Sequence, residues 1–400
     1  MSSCGSAGIM EYEVSVMNRF EEERKHFPAA LTQAYLDTGS TGLVPDYVYE
    51  GIKRYMEGRV CRGGDADWGG KDTVQMIAET RKSLAGMLGC EAEDIALGSN
   101  TAQMLAIFIG GIDLRPGDNV LASEEMFCGQ RYGWYYREQE GIEIRYIPTD
   151  HGKITLDMIR KYADERTRVV TLDMVENTTG YRIDAEEIGT WCHQNGIWFV
   201  SDAAQAAGAV PIDVKRMHID FLAGNDYKWM MNFGGAGYAY VSEQLRNTLK
   251  QRTVGWMADT ELFKAKKKLD SVTGAQKYEY GYPNVSGIYG IGQVARRYCE
   301  LGAKNIEQYI LSLNQYLEQK VSELPYVHFW SDYPLNNRCG IMILTLDDSC
   351  PVTNESLQKA GVAARVISGE MYGAKRAMRI AVHYYNNTED LDRLIAILAG

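Results

Sequence analysis

Residues 201–230 read SDAAQAAGAVPIDVKRMHIDFLAGNDYKWM and place an acid and a base at the ends of two short strand-like segments. Asp202 ends the apolar run IWFVSD (197–202), and Lys228 follows the strand-like DFLA (220–223). In a mostly parallel sheet, the carboxyl ends of the strands lie along the edge where ligands normally bind. Adjacent parallel strands would therefore present both side chains to one site.

The setting of Lys228 favours chemistry over simple solvation. It stands between Tyr227 and Trp229, and an apolar, aromatic setting favours the neutral, nucleophilic amine. Asp202 taken alone could instead cap a helix that begins just after it. Together the two residues are what a pyridine cofactor acting as an electron sink requires. The lysine holds its aldehyde, and the carboxylate keeps its ring nitrogen protonated.

The chain around this stretch alternates between helical and strand periodicity from about residue 75 onward. Such alternation predicts an α/β fold with a mostly parallel sheet covered on both faces. The helical segments are 74–89, 156–165 and 185–196, and the strand-like segments are 119–123, 142–147, 168–175 and 197–202.

The pattern changes after residue 290. A long helical stretch (305–324) is followed by a strand-like run (340–346) and a last helix (388–399), which together predict a smaller α+β domain. The predicted organisation is a large domain over residues 31–290 and a small C-terminal domain over residues 291–400, with residues 1–30 packing against the small domain.

Composition excludes several classes of partner. The formal net charge of -11 over 400 residues argues against nucleic acid, and we expect the basic run at 264–268 to be a solvated helix face. No stretch approaches the length of a membrane span, and the start lacks the features of a signal peptide, so we expect a cytoplasmic protein. Eight scattered cysteines without a CxxC pair predict reduced thiols and no metal site.

The arrangement of Asp202, Gln205 and Lys228 resembles the fold-type I pyridoxal phosphate (PLP) enzymes, specifically the aminotransferase class V superfamily. That superfamily includes cysteine desulfurases, C–S lyases, isopenicillin N epimerase-like proteins and kynureninases. The similarity extends from YLDTGSTGLVP (35–45) to RIAVHYYNNTEDLDRL (379–394). The resemblance implies the PLP-dependent transferase fold, with Asp202 on the pyridinium, Gln205 near the ring hydroxyl and Lys228 covalently bound to PLP.

Further positions match the needs of this cofactor. In ALGSNTAQML (96–105) a strand ends and a helix opens, so Ser99, Asn100 and Thr101 can offer hydroxyls and N-terminal amides to a phosphate, as the family does. The resemblance also implies that Phe127 covers the ring. It places Asn177 near the ring hydroxyl and the substrate.

The segment NDYKWMMN (225–232) is more similar to kynureninases than to typical desulfurases, which implies that Tyr227 donates to the phosphate. In relatives, the segments that contain Trp256 and Tyr282 cross to the phosphate of a partner subunit, so the resemblance implies a homodimer. Arg379 occupies the place of the substrate arginine. A guanidinium suits an α-carboxylate because its planar fork makes two parallel hydrogen bonds.

The predicted reaction is β-elimination from an amino acid, as in C–S lyases. A persulfide relay is not expected, because the segment that would carry the nucleophilic cysteine, residues 364–379, contains none. A class V aminotransferase and an epimerase share the first steps and stay open as alternatives. A catalytically idle binding protein on the same fold is a further alternative. A dinucleotide-binding dehydrogenase is poorly supported, because no G-x-G-x-x-G lies between a strand and a helix.

Overall fold

The computed structural model describes residues 18–63, 70–261 and 268–400. Residues 1–17, which form over half of the predicted N-terminal segment, lie outside these ranges. So does most of the predicted basic helix face at 264–268.

A seven-stranded sheet lies at the centre of the structure, in the order β2-β8-β7-β6-β5-β3-β4, and only β8 runs antiparallel to its neighbours. The predicted mostly parallel sheet is therefore confirmed. The described strands are β1 Ala34–Tyr35, β2 Ile95–Gly98, β3 Asn119–Ser123, β4 Glu143–Ile147, β5 Thr167–Asp173, β6 Trp198–Asp202, β7 Phe221–Asn225, β8 Gly237–Val241, β9 Val327–Phe329, β10 Ile341–Leu346, β11 Val362–Ala363, β12 Val366–Ser368 and β13 Arg376–Ala381.

The described part of helix α1 covers residues 18–24. The other described helices are α2 Asp46–Arg62, α3 Lys71–Leu88, α4 Thr101–Gly111, α5 Cys128–Glu138, α6 Leu156–Tyr162, α7 Ala185–Gln194, α8 Glu243–Thr248, α9 Val285–Leu301, α10 Ala303–Val321, α11 Asn354–Lys359 and α12 Thr388–Ala399. The predicted helix at 156–165 is shorter than expected, because Ala163 already has an extended backbone.

The central strands are apolar on both faces. In β6, Phe199 packs into the core on one side of the sheet, while its neighbour Val200 packs into the core on the other side. Side chains alternate between faces along a strand, so a run without polar interruptions is what a sheet covered on both sides requires. This explains why the strands could be located from short apolar runs.

A second, four-stranded antiparallel sheet in the order β12-β13-β10-β9 forms the C-terminal part. Described residues of the predicted N-terminal segment contact this part of the structure. Arg24 on α1 forms a buried ion pair with Asp390 on α12, with Nη1 and Oδ2 2.7 Å apart. The predicted domain boundary needs correction, because helix α9 runs without a break through residue 290. Its buried face, which includes Ile288 and Ile291, packs on α3.

Among the described helices, none combines the length and the apolar character that a membrane crossing would require.

Candidate active site

A cavity of about 240 Å³ opens at the carboxyl ends of β5, β6 and β7, the edge at which the sequence predicted a site. The predicted residues in its wall are Asn100, Thr101, Phe127, Asn177, Asp202, Gln205, Tyr227 and Lys228. The predicted residues outside its wall are Ser99, Trp256, Tyr282 and Arg379.

Lys228 reaches this cavity from the turn that follows β7. Its Nζ lies 5.7 Å from the centroid of the Phe127 ring and 5.9 Å from that of Tyr227. Burial lowers the pKa of the Lys228 amine, Asp202 opposes that change, and the charge of Arg379 lowers the pKa further. The environment therefore increases the fraction of neutral amine, which is the nucleophilic form.

The backbone of Lys228 is held by a close approach of another segment. The N–H of Gly42 donates to the carbonyl oxygen of Tyr227 at 2.8 Å. A Cβ added at Gly42 would lie 2.0 Å from the carbonyl oxygen of Lys228. A side chain at position 42 would displace the backbone that carries the lysine.

Asp202 ends β6, the parallel neighbour of β7, and is buried. Burial raises the pKa of Asp202 to about 6, although the N–H of Ala204 and the charge of Lys228 both act to lower it. The Ala204 N–H donates to Oδ1 of Asp202 at 2.8 Å. No helix begins directly after Asp202 in the described chain, where turns follow instead. The helix-cap interpretation is therefore wrong.

Asp173 is a second buried carboxyl group in the wall, and the sequence analysis missed it. It ends β5 and pairs in register with Asp202 on β6. Its Oδ2 accepts the Phe127 N–H at 3.2 Å, and its Oδ1 accepts from Nε2 of Gln130 at 3.4 Å. Burial raises the pKa of Asp173 well above its ordinary value, and the charges of Asp202 and Glu176 raise it further. The two neighbouring carboxyl groups disfavour simultaneous ionisation.

The N-terminus of helix α4 forms another part of the wall. Asn100 caps the helix by accepting the Gln103 N–H at 2.9 Å. Oγ1 of Thr101 is buried and has no hydrogen-bond partner among the described residues. Ser99 is exposed, lies outside the cavity wall, and its N–H donates to Oε1 of Gln103, so its predicted contact with a phosphate stays a prediction. A helix N-terminus with an unpartnered hydroxyl suits an anion.

Gln205 and Asn177 line the cavity but already have partners. Nε2 of Gln205 donates to the Gly39 carbonyl oxygen at 3.0 Å, and its Oε1 accepts from Nε1 of Trp229 at 2.8 Å. Nδ2 of Asn177 donates to Oε1 of Glu176 at 3.1 Å. These partners fix the orientation of each side-chain amide. Each amide can still form further hydrogen bonds with a ligand.

Arg379 lies on β13, in the smaller sheet, and outside the cavity wall. Nη1 donates to the carbonyl oxygen of Asn177 at 3.1 Å, and Nη2 lies 3.3 Å from Oδ1 of Asp37 and also donates to Ser40. The charge of Arg379 nevertheless acts on Lys228. The guanidinium is therefore close to the cavity and held in place by the β1–α2 loop.

Trp256 and Tyr282 also lie outside the cavity of their own chain. Their exposed fractions are 37% and 57%. Their predicted contact with a partner subunit stays a prediction.

Comparison with known proteins identifies the family. The family model described as aminotransferase class V matches residues 34–394. The chain belongs to the aminotransferase class V family. A probable cysteine desulfurase from Methanothermobacter thermautotrophicus is 24% identical over 394 residues, covering 95% of this chain and 97% of its own length. A cysteine desulfurase from Escherichia coli is 25% identical over 384 residues, 91% of this chain and 92% of that protein.

Solved structures share the fold. The apo cysteine desulfurase from Thermococcus onnurineus NA1 has a TM-score of 0.84 and 24% identity, with 94% of this chain and 96% of that chain covered. The cystine C–S lyase C-DES, in complex with its product cysteine persulfide, has a TM-score of 0.83 and 22% identity, with 93% and 99% covered. Another C-DES structure holds glycine covalently linked to its PLP cofactor. The class V chain described here is a PLP-dependent enzyme.

The cavity fits this cofactor on its own chemistry. The hydroxyl of Thr101 at the N-terminus of α4 is buried and has no partner within the described ranges, so it suits a phosphate. Asp202 offers a buried carboxylate for the ring nitrogen, and Lys228 offers an amine of lowered pKa for the aldehyde. Phe127 lies within reach of Lys228 and offers an aromatic face for the ring.

We predict that Lys228 is the residue that binds PLP covalently. Borohydride reduction of the loaded protein, followed by digestion and mass spectrometry, should find the pyridoxyl label on Lys228. Lys228→Ala should lose the label and about 10²–10⁴-fold or more in turnover, because a positioned acid–base group is removed. Lys375→Ala, a change at an exposed lysine, is the matched control and should behave as wild type. A label on any other lysine would refute the assignment.

We predict that Asp202 keeps the ring nitrogen protonated. Asp202→Asn has nearly the same shape but no charge, so it should fold and bind PLP while losing about 10²-fold or more in turnover. Circular dichroism and absorbance titration with PLP check folding and binding, and steady-state kinetics checks the rate. Near-normal turnover in a PLP-saturated variant would show that the carboxylate has no part in the chemistry.

Proposed function

We propose that this enzyme is a β-eliminating lyase of the C–S lyase type that acts on an amino acid. The observation that carries the proposal is the absence of cysteine from residues 364–379, which precede and include Arg379. Cys339 and Cys350 lie upstream and are buried. Burial raises the pKa of the Cys339 thiol to about 12, which disfavours its reactive thiolate.

The chain's own residues support this chemistry. In this proposal Arg379 binds the substrate carboxylate, and Phe127 stacks over the cofactor ring. With the substrate's amino group in its place on PLP, the Lys228 amine would be free to take the proton from the α-carbon, after which the bond between the β-carbon and its substituent would break. PLP, when bound, supplies the electron sink, and Asp202 maintains it by holding the proton at the ring nitrogen. The substituent leaves with the bonding electrons, and hydrolysis yields pyruvate and ammonia.

The names of the relatives favour a sulfur-containing substituent. Two similar proteins are called cysteine desulfurases or probable ones, and C-DES is called a cystine C–S lyase. The desulfurase name also defines the competing reaction, in which a protein cysteine receives the sulfur. Cys128 is the residue to test for that role, because it is exposed and lies next to Phe127 and Gly129 in the cavity wall.

We predict catalytic formation of pyruvate and ammonia from a panel of β-substituted amino acids, including cysteine and cystine, with no keto acid present. Elimination regenerates the enzyme in each cycle, so products should exceed the enzyme concentration many times. Transamination would stop after one equivalent without a keto acid, and epimerisation would give neither product. Either result would contradict the proposal.

The matched control for the relay is Cys128→Ser. Because elimination needs no protein thiol, this variant should keep its turnover. A protein-bound persulfide that disappears when a single cysteine is replaced would refute direct elimination and favour the desulfurase reaction.

We also propose that the protein acts as a homodimer in which Trp256 and Tyr282 approach the site of the other subunit. Their exposure supports the proposal, and two-fold dimers are the commonest assemblies. Light scattering of the active enzyme tests it. A fully active monomer would contradict it.

A further inference from the structure

The side chain of Asp226, which is fully buried, stabilises the turn that carries Lys228. Oδ2 of Asp226 accepts from Nδ2 of Asn232 at 3.1 Å and from the N–H of Ala236 at 3.3 Å. The backbone carbonyl of Asp226 also accepts the Asn232 N–H at 2.8 Å. One side chain therefore closes both ends of the segment between β7 and β8.

Two oxygen atoms of this pair are left without partners. Oδ1 of Asp226 and Oδ1 of Asn232 are both buried, and neither makes a hydrogen bond of ordinary geometry with the described residues, although the N–H groups of Asp226 and Gly234 lie close enough to act on the carboxyl group. They belong to two side chains that are already joined by one hydrogen bond. Leaving both oxygens unsatisfied would be costly in a buried position.

The orientation of the Asn232 amide is fixed by helix α9. Its Nδ2 also donates to the carbonyl oxygen of Gly287 at 2.9 Å, so a flipped amide would bring two acceptors together. Helix α9 approaches closely here, because a Cβ added at Gly290 would lie 2.1 Å from Oδ1 of Asn232. Rotating Asn232 thus does not remove the two unsatisfied oxygens.

A single proton would satisfy both. We infer that Asp226 is a neutral carboxylic acid whose Oδ1 donates to Oδ1 of Asn232, closing a reciprocal acid–amide pair that positions the turn bearing Lys228. Asp226 is then a positioning residue. Its functional meaning rests on the proposed role of Lys228, whereas its protonation does not.

The electrostatic setting agrees with the geometry. Burial raises the pKa of Asp226 to about 7, although the N–H groups of Asp226, Ala236 and Gly234 and the Asn232 amide act to lower it. Asp226 interacts electrostatically with two phenols, those of Tyr227 in the same turn and of Tyr238 on β8. The charge of Asp202 acts on both phenols as well.

The sign of the pH effect follows from this shift. The folded protein binds the Asp226 proton more tightly than the unfolded chain, whose carboxyl has its ordinary pKa of 3.8. The stabilisation by this proton is therefore complete below the unfolded value and is lost as the pH rises through the folded value. An ionised Asp226 with a lowered pKa would give the opposite slope.

The test compares the PLP-loaded wild type with Asp226→Asn, in which an amide replaces the neutral acid. The melting temperature of the wild type relative to this variant should fall between about pH 5 and about pH 8. Asp157→Asn, at a side chain that is 84% exposed, is the matched control for losing one carboxylate. The variant should also keep the borohydride label on Lys228. A relative melting temperature that stays flat or rises with pH would overturn the inference.

Infrared spectroscopy of protein with isotope-labelled aspartate gives a second readout that needs no activity. The wild type should show a protonated carboxyl band that Asp226→Asn lacks and that fades as the pH rises through neutrality. Absence of such a difference would overturn the inference. A variant that fails to fold would also do so, because a neutral amide should take the place of a neutral acid. Neither readout depends on the reaction that the enzyme catalyses.

Discussion

Asp173 and Asp202 end neighbouring parallel strands in register, so their carboxyl groups enter the same cavity as the amine of Lys228. Burial raises the pKa of both acids and lowers the pKa of the lysine. All three groups are thus shifted toward their neutral forms. A protonated ligand that carries its own positive charge would reverse this balance and allow Asp202 to remain ionised beside it.

The surrounding chain is packed closely against the turn that carries Lys228. The cavity is defined by segments that approach the lysine turn closely from different elements. Gly42 contacts it from the β1–α2 loop, and Gly208 has a φ of 102° and would place a Cβ 2.4 Å from the carbonyl oxygen of Trp229. His383 supports the same point, since its Nε2 lies 3.0 Å from the Trp229 carbonyl oxygen and its pKa is lowered to about 4 by burial.

The central strands, Asp202 and Lys228 could be predicted from the sequence because each depends on a local sequence pattern. The central strands are continuous apolar runs, and NVLAS at 119–123 was located with the bounds that the structure gives. Asp202 ends such a run and Lys228 follows one. Their positions at predicted strand ends and the family resemblance therefore both located them. The resemblance added Phe127, Asn177 and Gln205, all of which line the cavity.

What the sequence did not predict depends on partners that are distant along the chain. Asp173 also ends an apolar run, but its importance appears only when β5 is known to lie beside β6. Asp226 was overlooked because its partner Asn232 is held by helix α9, more than 50 residues away. The motif also did not show that the N–H of Ser99 would be taken up by Gln103, while Asn100 and Thr101 line the cavity. The predicted domain boundary at residue 290 needed correction because helix α9 runs through it.

We propose that one cavity orients PLP between Thr101, Asp202 and Lys228. The most direct measurement is a high-resolution crystal structure of the PLP-loaded protein. The account predicts continuous density from Nζ of Lys228 to the cofactor, the ring nitrogen facing the Asp202 carboxylate, and the phosphate at the N-terminus of α4 beside Thr101. A phosphate bound elsewhere, or a ring nitrogen facing away from Asp202, would contradict it.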